Sequence, residues 1–154
     1  MRVSNVSDIL IGQAIVFKPK QGDSPKPKEN VIDEVAELIF RWNGSKWELK
    51  EIFPSLWLEV FGAGHLIAPE DILEIIDIAW LVQYDPEIPA KPKYKPGNRV
   101  IYDDSGGDLK NKLVGTIGEI ELMVSARSAS CKYSLVETPE MEGLAEDWIL
   151  EVIP

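Results

Sequence analysis

The chain has 154 residues, 45% apolar and 27% charged, which is the composition of an ordinary globular protein with one domain or two very small ones. Its 16 basic and 26 acidic residues give a formal charge of −10 at pH 7, which argues against nucleic acid or an anionic membrane as the main partner, because both need clustered cations. One cysteine, Cys131, and one histidine, His65, exclude a disulfide framework, a multi-cysteine zinc site and most histidine-based sites.

The first residues and the length of the uncharged stretches indicate the cellular compartment. Residues 1–8 lack the apolar core and the small-residue cleavage site of a secretory signal. No uncharged stretch approaches the roughly 20 apolar residues that a membrane-spanning helix needs. The sequence therefore predicts a cytoplasmic protein without a membrane partner.

The first predicted strand is Gly12–Phe17, in which a glycine is followed by β-branched residues and an aromatic residue. A segment rich in proline and lysine, residues 18–28, comes directly after it. Proline fixes φ and removes a backbone donor, so this segment cannot continue a helix or a central strand. We predict a surface loop here.

The next element is a β-hairpin. Two runs of β-forming residues, Val35–Trp42 and Ser45–Ile52, flank Asn43-Gly44, which is a preferred pair for a two-residue type I′ turn. Such a turn fixes the register and places Phe40 opposite Trp47.

Two further segments complete the first half. The side chains of residues 56–61 alternate between an aliphatic face and a face with two aromatic residues, which predicts a strand. Residues 69–80 begin with Pro-Glu-Asp, as a helix start does, but contain four isoleucines, which favour a strand. We favour a short turn followed by a strand, with a helix as the alternative.

Residues 85–97 hold four prolines and interrupt the apolar pattern again. We interpret residues 86–96 as a linker between a first domain, residues 1–85, and a second domain, residues 97–154.

The second half begins with the predicted strand Gly97–Tyr102 and continues with strands over residues 113–124 and 132–137. Gly115 and Gly118 lie inside the longer strand and indicate a bulge or a sharp bend, of the kind that a tightly curled sheet requires.

The two halves resemble each other in sequence. Gly12–Phe17 and Gly97–Tyr102 share the order glycine, two variable residues, two β-branched residues and an aromatic residue. Ala68–Ile76 and Ala145–Ile153 share Glu-Asp and Ile-Leu-Glu, with a one-residue shift between them. These matches predict an internal repeat.

The order of these motifs resembles that of SH3-like barrels, most clearly over Tyr94–Pro154, where Val114-Gly-Thr-Ile117 precedes a strand and Glu146-Asp-Trp148 stands before the last strand. The resemblance implies a mainly β protein of two tandem small SH3-like barrels with short helical turns. The group includes peptide-binding modules, RNA-binding ribosomal proteins and accessory subunits of redox and metallocluster enzymes, so it implies no single function and no catalytic residue.

Aromatic residues supply the candidate binding surface. The sequence has five tryptophans, and Trp47, Trp80 and Trp148 are expected in cores. Trp57 and Phe61 alternate against the leucine face of their strand, so they pack either on the second domain or on a partner, with His65 beside them in a glycine loop.

The residues capable of chemistry are few. Cys131 is expected to be a structural thiol, because Lys132 is its only neighbouring cation. Asp103, Asp104 and Asp108 offer carboxylates in a glycine-containing loop, but the EF-hand spacing is absent. They are weak candidates for a cation, and we predict no resident metal and no cofactor.

The sequence therefore favours a non-catalytic protein that binds other proteins or assists assembly of an intracellular complex. A nucleic-acid module that uses the cations of the linker region is the first alternative: Lys91, Lys93, Lys95 and Arg99. A small enzyme that uses His65 or Cys131 is the second alternative.

Overall fold

The computed structural model of the protein is mainly β. It describes residues 9–18, 31–55, 67–76, 82, 84, 86–103, 112–139 and 143–154. The strands of these residues are Ala14–Phe17 (β1), Val31–Trp42 (β2), Trp47–Pro54 (β3), Ile72–Ile76 (β4), Arg99–Asp103 (β5), Lys112–Ser125 (β6), Ala129–Leu135 (β7), Leu144–Ala145 (β8) and Ile149–Ile153 (β9). Short 3₁₀ helices, Pro69–Asp71 and Glu146–Trp148, precede β4 and β9. No helix within this described part is long and apolar enough to cross a membrane.

The chain groups into two compact units, and each draws on several stretches of sequence. The first unit takes residues 1–40, 49–87 and 124–128, and the second takes residues 41–48, 88–123 and 129–154. The tip of the β2–β3 hairpin therefore belongs to the second unit, and the tip of the β6–β7 hairpin belongs to the first. The division at residues 86–96 into two domains stays a prediction.

In the first unit, β1 pairs antiparallel with β2 on one side and with β4 on the other. Strand β3 pairs with β2, and Ile52 in β3 also forms an antiparallel bridge with Ile67. The ladder between β1 and β4 shifts by one residue between Val16 and Phe17. The alternating pattern of β1 buries Ile15 and Phe17 completely.

The second unit has the same order of pairings. Strand β5 pairs antiparallel with β6 and with β9, and β7 pairs with β6 and with β8. In β7, Tyr133 is opposite Leu144, as Ile52 is opposite Ile67 in the first unit. The ladder between β5 and β9 shifts between Ile101 and Tyr102, at the place in the strand where the β1–β4 ladder shifts.

The same turn leads into β1 and into β5. Gly12 has a φ of 86° and Gly97 a φ of 89°, which is the left-handed region that glycine adopts without steric cost. The side-chain oxygen of the next residue, Gln13 or Asn98, accepts the backbone N–H three residues earlier at 3.0 Å and 2.9 Å. An amide side chain thus closes both turns.

Both turns are also tied to the next strand by a pair of backbone hydrogen bonds. The bonds run from Gly12 N–H to Val35 O (2.8 Å), from Val35 N–H to Gln13 O (2.9 Å), from Gly97 N–H to Ile117 O (2.7 Å) and from Ile117 N–H to Asn98 O (2.9 Å). Positions in the two units can therefore be matched residue by residue.

The matched positions carry the core of each unit. At each of them both side chains are buried, and the pairs are Ile9 and Tyr94, Ile15 and Val100, Phe17 and Tyr102, Val35 and Ile117, Leu38 and Ile120, Ile52 and Tyr133, and Ile72 and Ile149. All of these side chains are apolar or aromatic, so burial of apolar surface stabilises both units.

The segment after residue 68 is a turn followed by a strand, as the sequence favours. The 3₁₀ helix Pro69–Asp71 is closed by the Asp71 carboxylate, which accepts the Ala68 N–H at 3.1 Å. Strand β4 then pairs with β1, which excludes a helix over Ile72–Ile76. Residues 77–80 lie outside the described residues.

The predicted β2–β3 hairpin is confirmed, but its turn lies one residue later than predicted. Strand β2 ends at Trp42 and β3 begins at Trp47, and the Asn43 N–H donates to Lys46 O at 3.1 Å across Gly44 and Ser45. The Asn43 side-chain oxygen accepts the N–H groups of Ser45 and Lys46 at 2.9 Å and 2.8 Å. Asparagine side chains commonly stabilise turns through such bonds to nearby backbone. Trp42, not the predicted Phe40, packs against Trp47.

Gly115 forms no bulge opposite β5, because the ladder between β5 and β6 runs past it without a shift. The predicted sharp bend at Gly115 or Gly118 stays a prediction. A Cβ atom at this position would lie 3.0 Å from both δ-methyl groups of Leu135 and 3.2 Å from the ring of Tyr102. Glycine fits here without strain, whereas any larger residue requires the side chains of Leu135 and Tyr102 to move.

The left-handed glycine of the second turn supports a quantitative prediction. A Cβ atom on Gly97 would have nothing within 4 Å, so a substitution tests backbone strain alone. We expect Gly97→Ala to lower the free energy of unfolding by about 1–2 kcal/mol, measured by urea denaturation. Gly97→Asn is expected to lose less, because asparagine tolerates this conformation. Equal stability of Gly97→Ala and the unchanged protein would contradict the turn.

Candidate functional site

Several candidate residues of the sequence analysis cannot be placed. Trp57, Phe61 and His65 lie outside the described residues, and so do Asp104 and Asp108. Their assigned roles stay predictions. Asp103 is described, and it is fully buried at the end of β5 rather than in an open loop. No group of three or more His, Cys, Asp or Glu side chains suited to a metal ion occurs among the residues that the structure describes.

Cys131 lies in β7 with 6% of its surface exposed. Burial raises the pKa of the Cys131 thiol, the negative charge of Glu146 raises it further, and a hydrogen bond with Tyr133 opposes this change only in part. The thiol is therefore protonated at neutral pH, whereas the nucleophilic form of cysteine is the thiolate.

Tyr133 connects Cys131 to two other side chains. Its hydroxyl donates to Glu146 Oε1 at 3.1 Å, and its ring meets Tyr94 edge to face with centroids 5.3 Å apart. Burial raises the pKa of Tyr133, and the charges of Cys131 and Glu146 add to this effect. A tyrosine that is fully buried and donates its proton to a carboxylate is suited to holding a fold, and it does not act as a base at neutral pH.

The protected thiol gives a direct test. We expect Cys131 to resist iodoacetamide at pH 8 in the folded protein and to react at the rate of a free thiol after unfolding in guanidinium chloride, because the raised pKa and burial suppress the thiolate. The extent of alkylation is followed by intact mass. Alkylation of the folded protein at the unfolded rate would contradict the placement of this residue.

A cavity of about 600 Å³ lies beside β6 and β7 in the second unit. Its charged lining consists of Glu119, Glu121 and Lys132, and Ser134 supplies a hydroxyl. That hydroxyl is already engaged, because Ser134 Oγ accepts the Glu119 N–H at 2.7 Å and donates to the Glu119 carbonyl at 3.1 Å. It ties two strands together and is not available as a nucleophile.

Two tryptophans flank the β2–β3 turn. Trp42 is the last residue of β2 and Trp47 the first residue of β3, and their rings meet at an interplanar angle of 66° with centroids 5.0 Å apart. Both are partly exposed, so the expectation of a core position for Trp47 is wrong. Trp148 is also partly exposed, and Trp80 lies outside the described residues.

The indole N–H of Trp47 hydrogen-bonds to the proline-rich segment of residues 86–92. Its Nε1–H donates to the carbonyl oxygen of Pro89 at 2.8 Å, across 42 positions of sequence. Pro89 is the middle member of a regular series, Pro86, Pro89 and Pro92, with one proline at every third position. Pro92 is buried and Pro86 partly buried, whereas all five residues between them, Pro89 included, are exposed.

The corresponding turn of the β6–β7 hairpin has no aromatic residues. Ser125 N–H donates to Ser128 O at 2.8 Å, which is the bond that Asn43 and Lys46 make at 3.1 Å. The residues that flank this turn are Val124 and Ala129. The backbone of such a turn therefore forms without tryptophans, and the pair at Trp42 and Trp47 needs another explanation.

The contact between Trp47 and Pro89 was not predicted from the sequence, although two sequence features occur there. Trp42-Asn-Gly-Ser-Lys-Trp47 places two tryptophans on either side of a turn, and the prolines of residues 86–92 recur with the three-residue period of a polyproline helix. Their proximity could not be read from sequence, because it depends on a contact between segments far apart in the chain.

Four cationic side chains in or shortly after the proline-rich segment of residues 86–92 are exposed to solvent. Lys91, Lys93, Lys95 and Arg99 are all exposed, and the Lys93 ammonium lies 5.4 Å from the centroid of the Tyr94 ring. Arg99 also helps to lower the pKa of Glu137, although the first cause is that the Glu137 carboxylate accepts the Thr116 N–H. These four cations are exposed in a protein of net negative charge.

Comparison with known proteins adds no relative: no protein-family model matches the chain, and searches of curated proteins and of solved structures found no significant match.

Proposed function

We propose that this protein is a non-catalytic interaction or accessory module of a cytoplasmic complex, built from two tandem SH3-like barrels. Each unit has a strand that pairs with the second and the last strand, a 3₁₀ turn before that last strand, and a ladder shift at the same place. This order is the one that the sequence resemblance implies, and it supports the two-barrel proposal.

One observation carries the functional part of the proposal. Trp42 and Trp47 form a partly exposed aromatic pair on a turn whose counterpart, Ser125–Ser128, forms without one. Tryptophan is enriched where proteins bind each other, because it offers a large apolar face together with one hydrogen-bond donor. A pair that the fold does not need is best explained by binding.

The polar groups of the second unit support a non-catalytic role. The Cys131 thiol is held in its protonated form, the Tyr133 hydroxyl donates to Glu146, and the Ser134 hydroxyl joins two strands. Each of these groups has a structural partner that accounts for its position.

Affinity purification of the tagged full chain from the cells that produce it tests the proposal. We expect a protein partner that stays at a constant ratio to the chain through size-exclusion chromatography and chemical crosslinking. Recovery of the chain alone, at the elution volume of the purified protein and without crosslinked species, would contradict it.

The exposed cations support an experiment on one alternative function, which is nucleic-acid binding. A nucleic-acid module would use Lys91, Lys93, Lys95 and Arg99, which are exposed in the second unit. Their binding would be strongest at low salt, because it depends on counterion release. The lead proposal predicts no binding of single-stranded RNA even at low ionic strength, and saturable binding that weakens with salt would favour the alternative.

A further inference from the structure

We propose that Asn43 is a site of spontaneous deamidation, and that its conversion to aspartate or isoaspartate breaks the turn that holds Trp42 and Trp47 together. The inference goes beyond the proposed function, because it assigns a covalent modification to the turn itself. It holds whether or not the two tryptophans bind a partner.

The first step of the argument is the chemistry of the pair Asn43-Gly44. The backbone nitrogen of Gly44 loses its proton to water and attacks the side-chain carbonyl carbon of Asn43, and the new C–N bond closes a five-membered succinimide ring. The amide nitrogen takes up a proton and leaves as ammonia. Water then opens the ring at either carbonyl group, which gives aspartate or isoaspartate. Glycine is the residue that hinders this attack least, because no Cβ shields its nitrogen.

The second step is that both reacting residues are accessible. Asn43 and Gly44 are exposed, and a Cβ atom on Gly44 would have nothing within 4 Å. Asn98 is a contrasting asparagine of the same unit, because it is only partly exposed and Arg99 follows it in place of glycine. The side-chain oxygen of Asn98 also accepts the Lys95 N–H at 2.9 Å. We therefore expect Asn43 to deamidate and Asn98 to persist.

The third step is that hydrogen bonds hold the Asn43 amide at both ends. Its Oδ1 accepts the N–H groups of Ser45 and Lys46 at 2.9 Å and 2.8 Å, and its Nδ2 donates to Glu48 Oε1 at 2.8 Å. The departing nitrogen must gain a proton, whereas Glu48 accepts a hydrogen bond from it, so this bond opposes the loss of ammonia. The folded turn therefore slows the reaction, and Glu48 sets part of its rate.

The fourth step is that neither product fits the turn. Aspartate at position 43 puts a carboxylate oxygen where an N–H donor faced Glu48, and two like charges at that distance repel. Isoaspartate adds one CH₂ to the backbone, which disrupts the bond of 3.1 Å from the Asn43 N–H to Lys46 O. Because Trp42 and Trp47 flank this turn, either product loosens the contact between their rings.

The first experiment ages the purified full chain at mildly alkaline pH. Peptide mapping by mass spectrometry, with electron-transfer fragmentation, measures aspartate and isoaspartate at positions 43 and 98. We expect Asn43 to convert at least about tenfold faster than Asn98, because glycine leaves the attacking nitrogen unshielded. Equal rates at the two positions would overturn the inference.

Matched variants test the role of Glu48. Glu48→Ala removes the acceptor and is expected to raise the rate at Asn43 about two- to tenfold. Glu51→Ala removes another carboxylate of β3 and is expected to leave the rate unchanged. Circular dichroism checks that each variant is folded. An unchanged rate in a folded Glu48→Ala variant would contradict the restraint by Glu48.

The second experiment tests the effect of the product on the tryptophan pair. As the unchanged chain ages, the indole ¹H–¹⁵N resonances of Trp42 and Trp47 are expected to shift in step with conversion, while that of Trp148 stays in place. Asn43→Ser is the matched control, because Ser125 makes the corresponding backbone bond in the β6–β7 turn, and its aged spectrum is expected not to change. Conversion of Asn43 without a shift of either resonance would overturn the inference.

Asn43→Asp supplies one product directly. We expect it to lower the Tm by about 2–4 °C through repulsion from Glu48. Adding Glu48→Gln removes the facing charge and is expected to recover most of this loss. A Tm of Asn43→Asp equal to that of the unchanged chain, or a loss that Glu48→Gln does not lessen, would contradict the predicted repulsion.

Discussion

Replacing Tyr133 by alanine is expected to lower the free energy of unfolding by about 3–5 kcal/mol. Tyr133 is fully buried in β7, its ring packs edge to face on Tyr94, and its hydroxyl donates to Glu146. The substitution removes the ring contact, opens a cavity and leaves a carboxylate without its donor. Equilibrium denaturation in urea, followed by circular dichroism, measures the change.

Two further variants separate the loss of the hydrogen bond from the loss of core packing. Tyr133→Phe keeps the ring and loses only the hydrogen bond to Glu146, and we expect a cost of about 1–2 kcal/mol. Ile52→Ala changes the matched, fully buried position of the first unit, with an expected cost of about 2–5 kcal/mol. A loss below 1 kcal/mol for Tyr133→Ala would contradict the placement of this side chain in the core.

Replacing Gly115 by valine is expected to destabilise the second unit by about 1–3 kcal/mol through overpacking. The new Cβ would lie 3.0 Å from the δ-methyl groups of Leu135 and 3.2 Å from the Tyr102 ring, and valine adds two further methyl groups. Valine otherwise favours strands, so destabilisation would show that space, not strand propensity, decides this position. Thermal unfolding by calorimetry gives the change.

A double-mutant cycle tests the cause. Leu135→Val shortens the neighbour that the new side chain meets. Combining it with Gly115→Val is expected to recover part of the loss, because residues in direct contact are coupled. Strictly additive losses, or a stabilised Gly115→Val variant, would show that Leu135 does not lie against β6 at this point.

The architecture of each unit was largely open to prediction because it depends on local signals. Glycine followed by β-branched and aromatic residues marks the first strand, and the acidic turn before Ile72 marks the last one. Alternating apolar residues then decide which face of each strand is buried. The ladder shifts at Val16 and Ile101 were not predicted, because a bulge depends on how two strands align.

The turn at Asn43 shows where sequence patterns mislead. Asn-Gly is a frequent two-residue turn, but here Asn43 pairs with Lys46, and its side chain accepts the N–H groups of Ser45 and Lys46. In this register Trp42 and Trp47 lie against each other. A turn that moves by one residue therefore changes which side chains meet across the hairpin.

The candidate site was less open to prediction than the fold. The binding roles of Trp57, Phe61 and His65 stay predictions. Trp47 was expected in a core, because the hairpin pattern reports only contacts between its own two strands. The decisive contact, from Trp47 to Pro89, joins segments that are 42 positions apart. Such a contact depends on how the hairpin tip and the linker pack, which periodicity does not report.

Nuclear Overhauser effects in the full protein test whether one small β scaffold is built twice in this chain. We expect cross-strand contacts between Ala14 and Glu34, between Arg99 and Thr116, and between Ile15 and Ile75, with matching contacts between Val100 and Val152. We also expect the one-residue slip after Val16 and after Ile101. Helical contacts over residues 72–76, or a different pairing of the first and last strands in one half, would rule out a repeated scaffold.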